Sequence, residues 1–248
     1  MDDRGPGLSI IIPAYAAEGH IQRCLDALAT QSAPPSSFEV IVVDDHSPDQ
    51  SAELAERAGA RVVRHQRNRG AAAARNTGAS AARAGIFLFL DSDVVPSPDL
   101  VVATLHLFED HKVSAATGCY AAEPANDTDF ARYKALWTWY CWARSGGVSG
   151  RSSHLQGALA AIRAPVFEQL GGFDEAYHGG SVEDYEFSDR LRDEGVDIYF
   201  DEQISGRHHF PGYSTCARNY WDRARMWSKL ASKGTGFSSG QALSLIHI

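Results

Sequence analysis

The chain has 248 residues, 44% of them hydrophobic and 22% charged, enough for one large α/β domain with a sizeable core. Its formal net charge of -8 argues against a general nucleic-acid binder, which carries a basic excess. No stretch is long and apolar enough to span a bilayer.

Leu8 to Ile12 is an apolar run that predicts a strand ending at Pro13. Ile21 to Leu28 has helical spacing, with Cys24 on the apolar face beside Leu25. Val40 to Val43 predicts a second strand, ending at Asp44. Gln50 to Ala58 reads as a helix and Arg61 to Arg64 as a short strand. Ala71 to Arg83 is alanine-rich, which favours a helix by propensity. Ile86 to Leu90 predicts a third buried strand, ending at Asp91. Ser97 is expected to cap the next helix, with Pro98 at its first position and Leu100, Val101, Thr104, Leu105 and Phe108 on its apolar side.

The second half is less regular. Ala115 to Tyr120 reads as a strand. Ala125 to Gly150 is aromatic, with Tyr133, Trp137, Trp139, Tyr140 and Trp142, and reads as loop-rich. Leu155 to Ile162 predicts a strand, Pro165 to Leu170 a helical turn, and Glu183 to Glu194 a helix on which Phe187 and Leu191 pack at i, i+4. On that helix Glu186, Asp189, Asp193 and Glu194 are expected on the solvated face. Tyr213 to Lys233 reads as a basic, aromatic helix. Strands that are apolar throughout suggest burial on both faces, and helices between them suggest crossovers. Together they predict an α/β fold with a mostly parallel, doubly wound sheet. One domain is expected over 1–212, followed by a C-terminal helix and tail over 213–248.

The cysteines are Cys24, Cys119, Cys141 and Cys216, and none forms a C-x-x-C pair, so zinc and thioredoxin-type sites have no support. Met-Asp-Asp-Arg-Gly lacks the apolar core of a signal peptide, and a cytoplasmic chain with reduced thiols is expected. The ending Leu-Ser-Leu-Ile-His-Ile has the look of a translated sequencing adapter, so a natural protein that continues past this point is expected.

In a doubly wound sheet the ligand sits outside the carboxyl ends of the strands. There the chain carries Asp44-Asp45 and Asp91-Ser92-Asp93, and burying such pairs without a cation is costly. Oxygen ligands at Asp91 and Asp93 suit magnesium or manganese bridging the phosphates of a nucleotide. An acid at Asp44 or Asp45 can accept hydrogen bonds from a base or ribose. In Asn68 to Gly78, Gly70 and the alanines after it allow close backbone approach at a helix start, and Arg75 can reach a phosphate or the acids of the D-x-D turn. Glu183-Asp184 opens a helix whose dipole favours an ionised carboxylate, the state a general base needs. Of His208 and His209, which point apart in a strand, at most one can join a metal site.

Taken in order, these pieces resemble family 2 glycosyltransferases of the GT-A fold from about Leu8 to about Pro211. The residues that carry the resemblance are Ile-Ile-Ile-Pro-Ala-Tyr and Glu18, Ile-Val-Val-Asp-Asp-His-Ser, Asn68 to Gly78, and Phe-Leu-Phe-Leu-Asp-Ser-Asp. Gly-Gly-Phe-Asp-Glu at Gly171 to Glu175 and Glu-Asp-Tyr-Glu-Phe at Glu183 to Phe187 complete the set. The resemblance implies a nucleotide pocket lined by Pro13, Ala14, Tyr15 and Glu18, with Asp44 or Asp45 on the base or ribose and Arg75 near the base and phosphates. It implies that Asp91, beside Ser92, contacts the ribose or metal-bound water. Asp93 would bind Mn2+ or Mg2+ with His208 as a candidate third ligand, and Gly157 and Ala158 would lie near the donor sugar. Asp184 would be the catalytic base and Glu183 its support or an acceptor contact. The family's usual glycine after the paired aspartates is His46 here. The Gln-x-x-Arg-Trp signature of processive members is absent, which implies single-sugar transfer.

The expected activity is inverting transfer of one sugar from a UDP-, GDP- or dTDP-linked donor to a glycan, lipid-linked or protein acceptor. Two alternatives use the same acids: a nucleotidyltransferase, and a catalytically inactive nucleotide-sugar-binding module. In the last helix Tyr220, Ala224, Trp227 and Ala231 share a face, with Arg218, Arg225, Lys229 and Lys233 around it. That pattern could ride at a bilayer surface.

Overall fold

The computed structural model describes residues 5–145, 150–177 and 182–232, with the side chains of 142–145 and 226–232 outside the description. The expectations placed on Trp142, Trp227, Lys229, Ala231, Lys233 and the terminal run 243–248 therefore fall outside the described residues.

The first half alternates as its hydrophobic pattern dictates: β1 (Leu8–Ala14), α1 (Ile21–Ala29), β2 (Phe38–Asp44), α2 (Ser51–Arg57), β3 (Arg61–Arg64), α3 (Ala71–Ala81) and β4 (Ile86–Leu90). β5 (Val94–Pro96), α4 (Leu100–Leu107), β6 (Ala115–Tyr120) and α5 (Asp129–Ser145) follow. The chain then forms β7 (Arg151–Ser152), β8 (Leu159–Arg163), α6 (Ala164–Gln169), α7 (Glu183–Asp193), β9 (Ile198–His208) and α8 (Tyr213–Ser232). These strands form one sheet in the order β3-β2-β1-β4-β8-β6-β9-β5, with β7 on β9. β3, β2, β1 and β4 are parallel neighbours; β8 runs antiparallel to β4 and β6, and β9 lies parallel to β6.

Burial on both faces is visible residue by residue. In β1, Ile10 and Ile12 join a core with Leu25 and Leu28 of α1, while Ile11 between them joins the opposite core. In β4, Leu88 and Leu90 face the first core and Phe87 and Phe89 the second. That alternation is the pleat, with apolar contacts waiting on each side. The second core is aromatic: Phe89 lies 5.1 Å from Phe173, and Phe173 lies 5.0 Å from Phe187. Each ring removes roughly 1.5–3 kcal/mol of apolar exposure. The stack fixes the Gly171–Glu175 loop and α7 against the sheet, and so fixes what α7 carries at its N-terminus.

Several expectations are corrected. Ser97 does not cap α4: Asp99 holds the N-cap position without a side-chain bond, and Ser97 Oγ is buried without a partner. The Ser97 carbonyl instead accepts bonds from Gln31 Nε2 and Leu100 N, which turns Pro98 and Asp99 outside the helix. Ala125 to Gly150 is not mainly loop, because α5 occupies Asp129–Ser145. β8 starts at Leu159, four residues after the predicted start, because the backbone N–H groups of Leu155 and Gln156 bond side chains of α7 and β6. Asp189 is buried, paired with Arg192, and not on a solvated face. Among the described residues no helix is long and apolar enough to cross a membrane.

Candidate active site

The parallel strands β2, β1 and β4 end side by side at Asp44, Ala14 and Leu90. From β1 the chain winds outward through β2 to β3 and then returns through α3 to β4 on the other side of β1, so a crevice opens at the carboxyl ends of β1 and β4. Asp91, Ser92 and Asp93 occupy the turn after β4, closed by a bond from Val94 N to Asp91 O. Asp91 N also donates to Ala158 O, which holds the start of β8 against this turn.

Arg75 links the two halves of the crevice. It reaches from α3 with Nη2 2.7 Å from Asp91 Oδ1 and Nη1 2.7 Å from Glu183 Oε1. Gly70 lets this helix start where it does: it sits at the N-cap with φ 87°, a backbone that glycine adopts without penalty. Burial opposes the guanidinium charge, but Asp91, Glu183 and Asp184 outweigh it and hold Arg75 protonated above its already high value. Glu183 responds the other way, since burial pushes its carboxyl up despite Arg75.

Asp184 is the second residue of α7 and is 9% exposed. Its Oδ1 accepts Tyr185 N at 2.9 Å and its Oδ2 accepts Gly157 N at 3.3 Å. His154 Nε2 lies 3.5 Å from the same Oδ2. Burial alone would raise this carboxyl; His154, the Gly157 N–H and Arg75 outweigh it and hold the acid below the usual carboxylate range.

Asp93 and His208 meet on the other side. His208, at the end of β9, has Nε2 3.3 Å from Asp93 Oδ2. Burial pushes Asp93 up, but His208 and His20 more than offset it and hold the carboxyl ionised. Asp93 Oδ1 and His208 Nδ1 are buried with no hydrogen-bond partner. Asp91 does not join them, because its Oδ1 turns to Arg75; among the described residues no three such side chains converge on one point. His209 points elsewhere, its ring 5.8 Å from that of His20, whose Nε2 approaches Ser92 Oγ at 3.4 Å.

Asp44 and Asp45 differ sharply. Asp45 Oδ1 accepts Arg69 N at 2.8 Å and faces His65 Nδ1 at 2.7 Å, and Oδ2 accepts Gly70 N at 2.7 Å. Among the described residues the Asp44 carboxylate receives one bond, from Ser47 N at 3.2 Å. The loop after β1 is tied to this region, since Ala16 N, Ala17 N and Glu18 N bond Ser47, Ser51 and Asp49. Ala14 is buried at the strand end, Pro13 is half-buried, and Tyr15 stands 54% exposed over the crevice mouth. Sequence reasoning missed His20, Tyr120 and His154. The Tyr120 ring lies tilted against that of His208 with centroids 4.5 Å apart, and a lone ring in a strand or loop carries no pattern that would single it out.

This arrangement of acids at the ends of a parallel sheet has the fold of the GT-A glycosyltransferases. A mannosyltransferase, PcManGT from Pyrobaculum calidifontis, solved with GDP-Man and Mn2+, superimposes with a TM-score of 0.65 at 20% identity, over 98% of this chain and 79% of that one. S. aureus TarS in complex with UDP-GlcNAc superimposes with a TM-score of 0.61 at 18% identity, over 87% of this chain and 64% of that one.

The chain belongs to glycosyl transferase family 2, whose description matches residues 9–171. It is 28% identical over 209 residues to the glycosyltransferase AglE of Haloferax volcanii, covering 82% of this chain and 67% of that protein. It is 26% identical over 236 residues to the validoxylamine A glucosyltransferase of Streptomyces hygroscopicus subsp. limoneus, covering 77% and 49%. A shorter match, 44% over 92 residues, is to the uncharacterized glycosyltransferase EpsJ of Bacillus subtilis strain 168, where the aligned part spans 36% of this chain and 26% of EpsJ. Family membership places the chain among the glycosyltransferases, and the chain spans only part of these relatives' own length.

Proposed function

We propose that this glycosyltransferase is inverting and metal-assisted, and moves one sugar from a UDP-, GDP- or dTDP-linked donor to an acceptor hydroxyl. The observation that carries the reading is Asp184: a buried carboxylate held ionised at a helix N-terminus, joined through Gly157 and Arg75 to the D-x-D turn. A base must be ionised before it can take a proton, and here the field of its neighbours secures that state against burial.

In this reading the acceptor oxygen attacks the anomeric carbon as Asp184 takes the hydroxyl proton. The bond from that carbon to the diphosphate breaks on the opposite face, the electron pair leaves with the diphosphate, and the configuration inverts. Arg75 holds Asp91 and Glu183 apart from the base, so Glu183 supports the geometry and does not compete for the proton. Gly157 and Ala158, bonded to Asp184 and to Asp91 N, flank the donor sugar. Pro13, Ala14, Tyr15 and Glu18 line the nucleotide, and Asp44, whose carboxylate is the less engaged of the pair, contacts the base or ribose. Asp91 and Ser92 face the ribose.

Mn2+ or Mg2+ would be held by Asp93, whose Oδ1 is a buried oxygen donor without a partner, with His208 beside it as a nitrogen donor and Asp91 as a further acid of the same turn. Bound there, the ion supplies neutralising charge for the departing diphosphate. PcManGT with GDP-Man and Mn2+ supports both the donor class and the ion.

The transferase domain is taken as 1–212 and 213–248 as a C-terminal helix with a truncated tail; within α8, Tyr213 meets Phe130 of α5 and Tyr220 covers Lys134 Nζ. The reading includes a cytoplasmic location, a glycan, lipid-linked or protein acceptor, and peripheral membrane contact through the α8 face of Tyr220 and Ala224, of which Ala224 is exposed and Tyr220 half-buried.

A nucleotide-release assay over a panel of UDP-, GDP- and dTDP-sugars with Mn2+ tests the reading. Wild type should release nucleotide from at least one donor, and Asp184→Asn should bind that donor and release none. Unchanged turnover in D184N overturns the assignment. Donor binding by wild type without release would leave only a binding module.

A further inference from the structure

We propose that His154 is a positioning residue for Asp184, fixing the carboxylate's orientation for catalysis; this rests on Asp184 being the base. His154 lies in the loop between β7 and β8, outside every motif that marks the family resemblance. Its ring stacks on Tyr185 at 3.8 Å with planes 16° apart, so the residue next to the base sets the plane of the imidazole. Nε2 faces Asp184 Oδ2 at 3.5 Å, and Nδ1 faces Ser188 Oγ at 3.3 Å.

Ser188 has one hydroxyl proton, and its shortest contact, 2.5 Å, is to the Asp184 carbonyl. With that proton donated, its oxygen accepts Leu155 N at 2.9 Å and presents its other lone pair toward Nδ1. Each ring nitrogen thus faces an acceptor, and the ring cannot rotate without losing its stack. The loop itself is stitched to α7 and β6 by Leu155 N to Ser188 and Gln156 N to Thr117, which ties the loop that carries His154 to the helix that carries Asp184. The 3.5 Å separation is long for a hydrogen bond, as catalytic contacts often are before substrate binds.

Other groups also act on Asp184. Arg75 from α3 and the Gly157 N–H support its charge, while Glu183 on its own helix opposes it. Asp91 after β4 and the Tyr120 hydroxyl of β6 share the same crevice. Arg75 is already neutralised by two carboxylates, and His154 is the side-chain ring nitrogen placed against Asp184 Oδ2.

The test is the pH profile of kcat/KM for wild type, His154→Phe, His154→Gln and Asp184→Asn, read by nucleotide release with the donor found in the panel. H154F keeps the stack on Tyr185 and loses both polar ends. Its kcat should fall about 10- to 100-fold with donor KM nearly unchanged. The acid limb should move up by about one pH unit or more, because burial is then opposed at that oxygen only by the Gly157 N–H and the more distant Arg75. H154Q keeps an N–H donor, should recover part of both effects, and supplies the measurement if H154F does not fold. An unmoved acid limb in both variants overturns the proposal. If D184N is silent while the His154 variants keep the wild-type limb, the base stands and only the role of His154 falls; an active D184N removes both.

Discussion

Arg75 Nη1 and Glu183 Oε1 lie 2.7 Å apart inside the protein, joining α3 to the start of α7. Asp91 takes the other side of the same guanidinium, so the helix that carries Asp184 and the turn that carries the D-x-D acids are held by one side chain. Removing it leaves Glu183 buried and unpaired. Arg75→Met should lower the unfolding free energy by about 3–5 kcal/mol in urea titrations, and the double variant R75M/E183Q should recover part of that loss. A loss under about 1 kcal/mol would contradict this role for Arg75.

Asp44 and Asp45 are neighbours with separate duties. Asp45 holds two backbone N–H groups and the His65 ring, so D45A strands buried donors and should cost about 2–4 kcal/mol of stability. D44A should change stability by less than about 1 kcal/mol and weaken binding of the nucleoside diphosphate. Thermal melts and calorimetric titration of each variant separate these outcomes; the reverse pattern would exchange the two assignments.

His46 stands where family resemblance leads one to expect glycine, and its backbone has φ 63°. A side chain in the left-handed region carries strain of about 1–2 kcal/mol, against a larger unfolded-state entropy for glycine. His46→Gly should therefore be neutral or stabilising by up to about 1 kcal/mol, where glycine substitution elsewhere usually destabilises. A drop of more than about 1 kcal/mol in the melt would mean that the histidine ring makes a contact that holds this turn.

The parts of the fold and site that were legible share one property: a local pattern that also describes the tertiary environment. β1, β2 and β4 are apolar throughout because both faces are covered, and their acids follow directly. α5 was hidden because the residues it buries are small, Ala131 and Ala135, while its large aromatic side chains Tyr133, Trp139 and Tyr140 stay exposed. β9 was missed because Asp201, Glu202 and Gln203 interrupt its apolar pattern; pairing with β6, β5 and β7 makes it a strand. The pairing of His208 with Asp93 depends on that strand's register, with His208 opposite Val94, and the sequence offered it only as a histidine late in the chain. His154 reaches Asp184 through a loop stitched to α7, a relationship with no periodicity to read.

The most direct test is calorimetric titration of nucleoside diphosphate, GDP or UDP, into wild type, Asp93→Asn and D184N with and without Mn2+. If the acids form one cleft with divided roles, Mn2+ should tighten binding to wild type and D184N alike, and D93N should lose about ten-fold or more of that gain. Equal Mn2+-dependent binding by D93N and wild type, or loss of nucleotide binding in folded D184N, would contradict the account.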